Sequence, residues 1–163
     1  MKIEWTRTQS GQHAVICDGK WLCSSIDPQT EGRSWVERYA NIFKEENSIL
    51  VLGVGAGWHL REARVRFAHT KITTIDFARL FYEKARVLFP ELNEIEFCNL
   101  EEIEESNKNV VLPFYPCWQS NRFEFARAFE KLTGRETKDG RLKSIHDIET
   151  SDPIWKTLKE LVS

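Results

Sequence analysis

Three glycines at alternate positions, Gly53, Gly55 and Gly57, interrupt an apolar run that starts at Ile49. An aspartate, Asp76, closes a second β-rich run 23 residues after the first of them. Glycine lacks a Cβ, so such a turn lets the backbone bend sharply and approach a ligand closely. A helix starting just after the turn would aim its free N–H groups and positive dipole end at the same place. An acid about 20 residues further on is placed to meet ribose hydroxyls. Strand, glycine turn, helix, strand and acid together suit a ligand that carries a nucleoside. A βα turn whose glycines serve only tight packing, with Asp76 a solvated strand end, fits the same residues.

Two details bear on the ligand class. Position 58 is Trp where the dinucleotide pattern G-x-G-x-x-G has glycine, and no G-x-x-x-x-G-K-[ST] occurs, which excludes a P-loop kinase. A ligand with ribose and adenine but no pyrophosphate fits better. His59, in the first turn of the expected helix, could donate to an anion or hydrogen-bond the backbone. His13, His69 and His146 have no companions at catalytic spacing. Glu94, Glu96, Glu101, Glu102, Glu104 and Glu105 read as a solvated acidic face. Leu112-Pro113-Phe114-Tyr115-Pro116-Cys117-Trp118 could wall a planar substrate, but its aromatics and prolines fit a buried loop better. Cys117 has no base nearby in sequence, and no catalytic residue emerges.

The chain has 163 residues, the size of a single domain with one substantial core. A net charge of −2 gives no overall reason to expect nucleic acid or an anionic membrane. No apolar run approaches the roughly 20 residues needed to span a bilayer. Met1–Arg7 lacks the apolar stretch of a signal peptide, so a cytoplasmic location is the expectation. Cys17, Cys23, Cys98 and Cys117 have no metal-binding spacing. In a hairpin turning at Asp18-Gly19, Cys17 faces Lys20 and Cys23 faces Ala14, so reduced thiols are expected.

The elements that must position these residues can be read from periodicity. Residues 1–47 read as a β-hairpin and a helix: Asp27 suits the N-cap and Pro28 the first position. Trp35, Val36, Tyr39, Ile42 and Phe43 form its apolar stripe to about Lys44. Within residues 48–117, strands are expected at 48–54, 71–76, 94–98 and 110–112, with helices near 57–67 and 78–89. Leu80, Phe81, Lys84, Ala85 and Leu88 give the second of these helices its inner face. Residues 113–117 read as a loop, because two prolines would cost ladder donors. Residues 118–163 read as a helix over 119–133 capped by Gly134, a polar linker at 135–151 and a short final helix from Asp152-Pro153. The fold class is α/β, a parallel sheet of about four strands flanked by helices, within one domain.

Val51-Leu52-Gly53-Val54-Gly55-Ala56-Gly57, with Thr74-Ile75-Asp76-Phe77 and Glu96-Phe97-Cys98-Asn99-Leu100, resembles the class I S-adenosylmethionine-dependent methyltransferases, a Rossmann-like family. The resemblance covers roughly residues 48–105. It implies S-adenosylmethionine as the cofactor, cradled by Gly53, Gly55 and Gly57. Asp76 would lie on the ribose hydroxyls, Phe77 on adenine and Asn99 near the adenine amino group, where the family often has an acid. A narrower resemblance joins Ser24-Ser25-Ile26-Asp27-Pro28 and Arg33-Ser34-Trp35-Val36-Glu37-Arg38 to Gly55-Ala56-Gly57-Trp58-His59-Leu60. It is similar to the central domain of motility accessory factors, shared with archaeal 6-hydroxymethylpterin pyrophosphokinases. That resemblance implies glycosyl or pyrophosphoryl transfer, or a reduced scaffold module with a protein partner. A short sheet with an open edge would also favour a homodimer.

Overall fold

Ser48–Leu52, a run of β-branched and aliphatic residues, forms the central strand β4 of a four-stranded parallel sheet in the computed structural model. The structure describes residues 1–104 and 109–134. Strands β5 (Lys71–Asp76), β6 (Glu96–Asn99) and β7 (Val111–Pro113) complete the sheet in the order β6-β5-β4-β7. The chain thus leaves β4, builds outward on one side through β5 and β6, and returns to the other side as β7. This is the strand order of half a doubly wound sheet, whose carboxyl edge has a crevice where the order reverses. Leu52 pairs with Ile75 on one side and Pro113 on the other, and Asp76 pairs with Asn99.

Before the sheet, β1 (Ile3–Arg7), β2 (His13–Cys17) and β3 (Lys20–Trp21) form an antiparallel unit. Asp18 and Gly19 both take positive φ, as the favoured two-residue hairpin turn requires. Ile16 pairs with Trp21 and Cys17 with Lys20, the expected register, but β3 ends at Trp21, so Cys23 does not pair with Ala14. All four cysteines are free.

The expected helix after the hairpin divides at Tyr39 into α1 (Pro28–Arg38) and α2 (Ala40–Glu45). Asp27 caps α1, accepting from the Thr30 N–H at 3.0 Å and the Thr30 hydroxyl at 2.8 Å. Trp35, Val36, Tyr39 and Phe43 are buried as the stripe predicts. Helix α3 (Trp58–Arg66) follows the glycine turn and crosses α1 in backbone contact. A Cβ on Gly32 would lie 2.8 Å from the His59 backbone nitrogen, which explains the glycine in mid-helix.

Two expectations need correction. Helix α4 (Arg79–Leu88) is rotated from its predicted phase: Leu80 is 55% exposed and Lys84 is exposed, while Tyr82 is buried beside Phe81 and Ala85. Tyr82 can occupy that place because its hydroxyl donates to the Ile95 carbonyl at 2.6 Å. Pro113 belongs to β7 and not to the following loop. β7 is an edge strand, where a missing donor costs little. Helix α5 (Arg122–Thr133) matches expectation: Phe125, Phe129 and Leu132 are buried, and Gly134 caps it at φ 71°. The linker at 135–151, the final helix, His146 and Glu105 lie outside the described residues.

Gly32→Ala should destabilise the fold by about 2–3 kcal/mol, since backbone and not a flexible side chain blocks the added methyl. Urea denaturation of the variant would show it as a lower midpoint at unchanged slope.

Candidate functional site

The carboxyl edge of β4 delivers the chain into the turn Gly53–Gly57, where all three glycines take positive φ (117°, 53° and 89°). Such values strain any L side chain, so these positions need glycine whatever the turn binds. The Gly53 N–H donates to the Ile75 carbonyl at 2.9 Å, and the Gly57 N–H to the Val54 carbonyl at 2.9 Å. Sequence reading located this turn correctly.

What lies against the glycines is protein. A Cβ on Gly53 would sit 2.5 Å from Cys117 Sγ, and one on Gly55 would sit 2.9 Å from the Leu22 carbonyl oxygen. Gly57 is closed from a third side by Ala85, Phe89 and Leu92, with the Ala85 methyl at 3.0 Å. Every residue from Gly53 to Gly57 is buried. A turn waiting for adenosine would show backbone to solvent. This one is covered by the hairpin end at Leu22 and by the 3-10 segment Tyr115–Ser120 that leaves β7.

That segment is tied into the crevice. The Leu52 carbonyl, last in β4, accepts from the Phe114 N–H and from the Trp118 indole N–H, both at 3.0 Å. Trp118 stacks on Phe125 of α5 at 5.5 Å, nearly parallel. Phe114 stacks on the His59 ring at 3.6 Å. His59 is the backbone-bonded histidine of the two alternatives: its Nε2–H donates to the Gly53 carbonyl at 2.8 Å. Its Nδ1 has no partner among the described residues, and burial holds its pKa down at about 3. Trp35 donates its indole N–H to the Pro113 carbonyl at 2.8 Å and meets both rings edge-on. The aromatic run after β7 is therefore structural, as its composition indicated.

Asp76 stands at the end of β5, beside the turn, but 1% exposed. Its Oδ2 accepts from the Val54 N–H at 2.8 Å and its Oδ1 from the Phe77 N–H at 2.7 Å. The carboxylate thus braces the glycine turn from within. Burial raises its pKa to about 7, against the lowering effect of its backbone donors at Val54, Phe77 and Ala78. Phe77 packs edge-on against Phe81 at 5.4 Å and Phe125 at 6.2 Å. Asn99 accepts from the Glu101 N–H at 3.0 Å and reaches toward the Phe77 carbonyl. Gly53, Gly55, Gly57, Asp76, Phe77 and Asn99 are thus gathered at one sheet edge, the glycines and Asp76 buried and Phe77 and Asn99 half-exposed. The Asp76 carboxylate oxygens, which the resemblance would set on a ribose, bond the Val54 and Phe77 N–H groups instead.

Cys117 and Glu31 are the residues sequence reading undervalued. The Cys117 thiol is pushed well up by burial first and then by Asp76, Cys23 and Glu31, which disfavours the thiolate. Glu31, on α1, accepts from the Ser24 N–H at 2.7 Å, and burial raises its pKa to about 7. Only the third dimension brings α1, the hairpin end and the β7 exit together. No group of three His, Cys, Asp or Glu side chains among the described residues is arranged to hold a metal.

No protein-family model matches the chain, and no curated protein matches it. Three of the solved structures that resemble it are methyltransferases. One is assigned as a sarcosine dimethylglycine methyltransferase from Galdieria sulphuraria (13% identity, TM-score 0.48, covering 68% of this chain and 43% of that one). Another is an O-methyltransferase from Bacillus cereus in complex with SAH (14%, 0.42, 82% and 67%). A third is the plantazolicin methyltransferase BpumL in complex with SAH (16%, 0.41, 82% and 56%). The chain spans less than half the length of the first. With TM-scores below 0.5, these likenesses carry no argument about its chemistry. None of the three is a motility accessory factor or a pterin pyrophosphokinase.

The buried acids set a pH signature. Glu31 titrates near 4.5 when unfolded and near 7 when folded, so the folded state holds its proton more tightly. Stability from this group is full below about 4.5 and lost as pH rises through about 7. Asp76 acts in the same sense; His59, held down, acts oppositely, losing stability as pH falls below about 6.5. Glu31→Gln keeps an acceptor for Ser24. It should match the wild type near pH 4.5 and exceed it by about 1–3 kcal/mol at pH 8, read from urea midpoints across pH.

Proposed function

We propose that this chain is a methyltransferase-like Rossmann module whose adenosine cradle is filled by its own residues. In this conformation it serves as a binding or scaffold module and not as a methyltransferase. One observation supports the reading: a Cβ on Gly53 would meet the Cys117 sulfur and one on Gly55 the Leu22 carbonyl, so protein packs on that side of the turn. The inward bonding of Asp76 supports it, because both carboxylate oxygens already accept backbone N–H groups.

A second reading is favoured by the backbone itself. Three positive-φ glycines at the switch point of a parallel sheet, with an acid at the end of the next strand, form the frame of an S-adenosylmethionine site. On that reading the 115–120 segment withdraws to admit the nucleoside. Withdrawal breaks the Trp118 hydrogen bond to Leu52 and unstacks Trp118 from Phe125, so a ligand would spend affinity on opening the crevice.

Thermal unfolding with S-adenosylmethionine, S-adenosylhomocysteine, ATP and CMP separates the two. The filled-cradle reading expects no shift with any of them. A ligand present at about 100 times its dissociation constant would add about 2.7 kcal/mol, a rise of roughly 5–10 °C for a chain of this size. Such a rise with S-adenosylhomocysteine, abolished in Asp76→Ala, would establish the second reading and overturn the first.

Gly53→Ala tests the packing directly. It should cost about 2–4 kcal/mol through its φ and the contact with Cys117. In a double-mutant cycle, Cys117→Ala should recover part of that cost, seen as a coupling energy of about 1 kcal/mol in denaturation experiments.

A further inference from the structure

A cavity of about 430 Å³ opens between the antiparallel unit and α4, lined by Trp5, Thr6, Arg7, His13, Lys84 and Leu88 among others. No glycine-turn residue lines it. Its volume lies in the range of small-molecule sites, roughly 300–1,000 Å³.

All of its charged lining is basic. His13 is held below its ordinary pKa by burial first, then by the fields of Arg7 and Lys84, so both cations act on the space around its ring. Neither cation is neutralised by a carboxylate among the described residues. Arg7 donates to the Gly11 carbonyl at 2.7 Å. The acids nearest in sequence are engaged elsewhere: Glu4 pairs with Lys2, and Glu83 pairs with both Arg79 and Arg86. In a chain with 25 acidic and 23 basic residues, two cations without a carboxylate partner at one cavity favour an anionic ligand.

Trp5, Ala14 and Leu88 supply the apolar part of the lining, beside Thr6 and the His13 ring. Trp5 is half-buried and edge-on to Phe81 at 6.2 Å, and Leu88 faces in from α4. The His13 carbonyl accepts from the Trp58 indole at 2.8 Å, and its ring meets Phe89 edge-on. The walls are thus held by the core, while the Arg7 and Lys84 side chains are exposed. We infer that this cavity binds a small aromatic anion, its phosphate or carboxylate between Arg7 and Lys84 and its ring against Trp5 and Leu88. Charge-assisted hydrogen bonds supply the anchor, and the His13 imidazole offers a neutral donor beside them.

The test titrates the full chain with phenyl phosphate, benzoate, phenol and inorganic phosphate, following amide NMR signals. Phenyl phosphate or benzoate should shift residues 5–7, 13–14 and 84–88, and whichever binds tighter assigns the anion. Phenol and inorganic phosphate should each bind at least about tenfold more weakly, lacking one half of the match. Arg7→Gln and Lys84→Gln alter exposed side chains, so both variants should fold. Each should weaken binding at least about fivefold. Phenol binding as tightly as the anions, unchanged affinity in both variants, or no shift at about 10 mM of either aromatic anion would overturn the proposal. Because no ligand here contains a nucleoside, the outcome is independent of the state of the glycine turn.

Discussion

The carbonyl of Leu52 holds the organisation of this molecule. It is the last acceptor of the central strand, at the carboxyl edge where an open α/β sheet normally meets its ligand. Here it takes two donors from the segment leaving β7, the Phe114 amide and the Trp118 indole. Those bonds set Cys117 against Gly53 and Phe114 against His59, closing that side of the turn. Given that closure, the other features of the site follow. Asp76 turns inward because the turn offers it N–H donors while the packed loop excludes water. His59 is held neutral against Phe114 because its remaining outlet is the Gly53 carbonyl.

This arrangement sets buried polarity against packing. Asp76, Glu31 and His59 each sit in surroundings that disfavour charge, and each is retained through bonds to backbone groups. Such groups cost stability when ionised and cost it again when unpartnered. Asp76 is buried against the glycine turn, whereas Glu31 is half-buried on α1 beside Ser24.

The antiparallel unit contributes on both of its sides. Its far end supplies the Leu22 carbonyl over Gly55. Its first two strands, with α4, frame a second cavity whose charge is opposite in sign to that of the chain as a whole. Trp58 joins the two regions, since it opens α3 after the glycine turn and donates to the His13 carbonyl.

Local chemistry made much of this legible in advance. Asp27-Pro28, Asp18-Gly19, the three alternate glycines and Gly134 are each dictated by capping, turn or φ requirements that act within a few residues, and each lies where the sequence places it. The apolar runs fixed the parallel strands to within about two residues at each end. The rotation of α4 was not legible, because periodicity gives a stripe but not which neighbours will accept a tyrosine hydroxyl in place of Leu80. Nor was the fate of the crevice. Whether Gly53 and Gly55 open to a ligand or to Cys117 and Leu22 depends on contacts between residues more than 30 positions apart. Sequence spacing carries no record of those distances, and only the folded chain decides them.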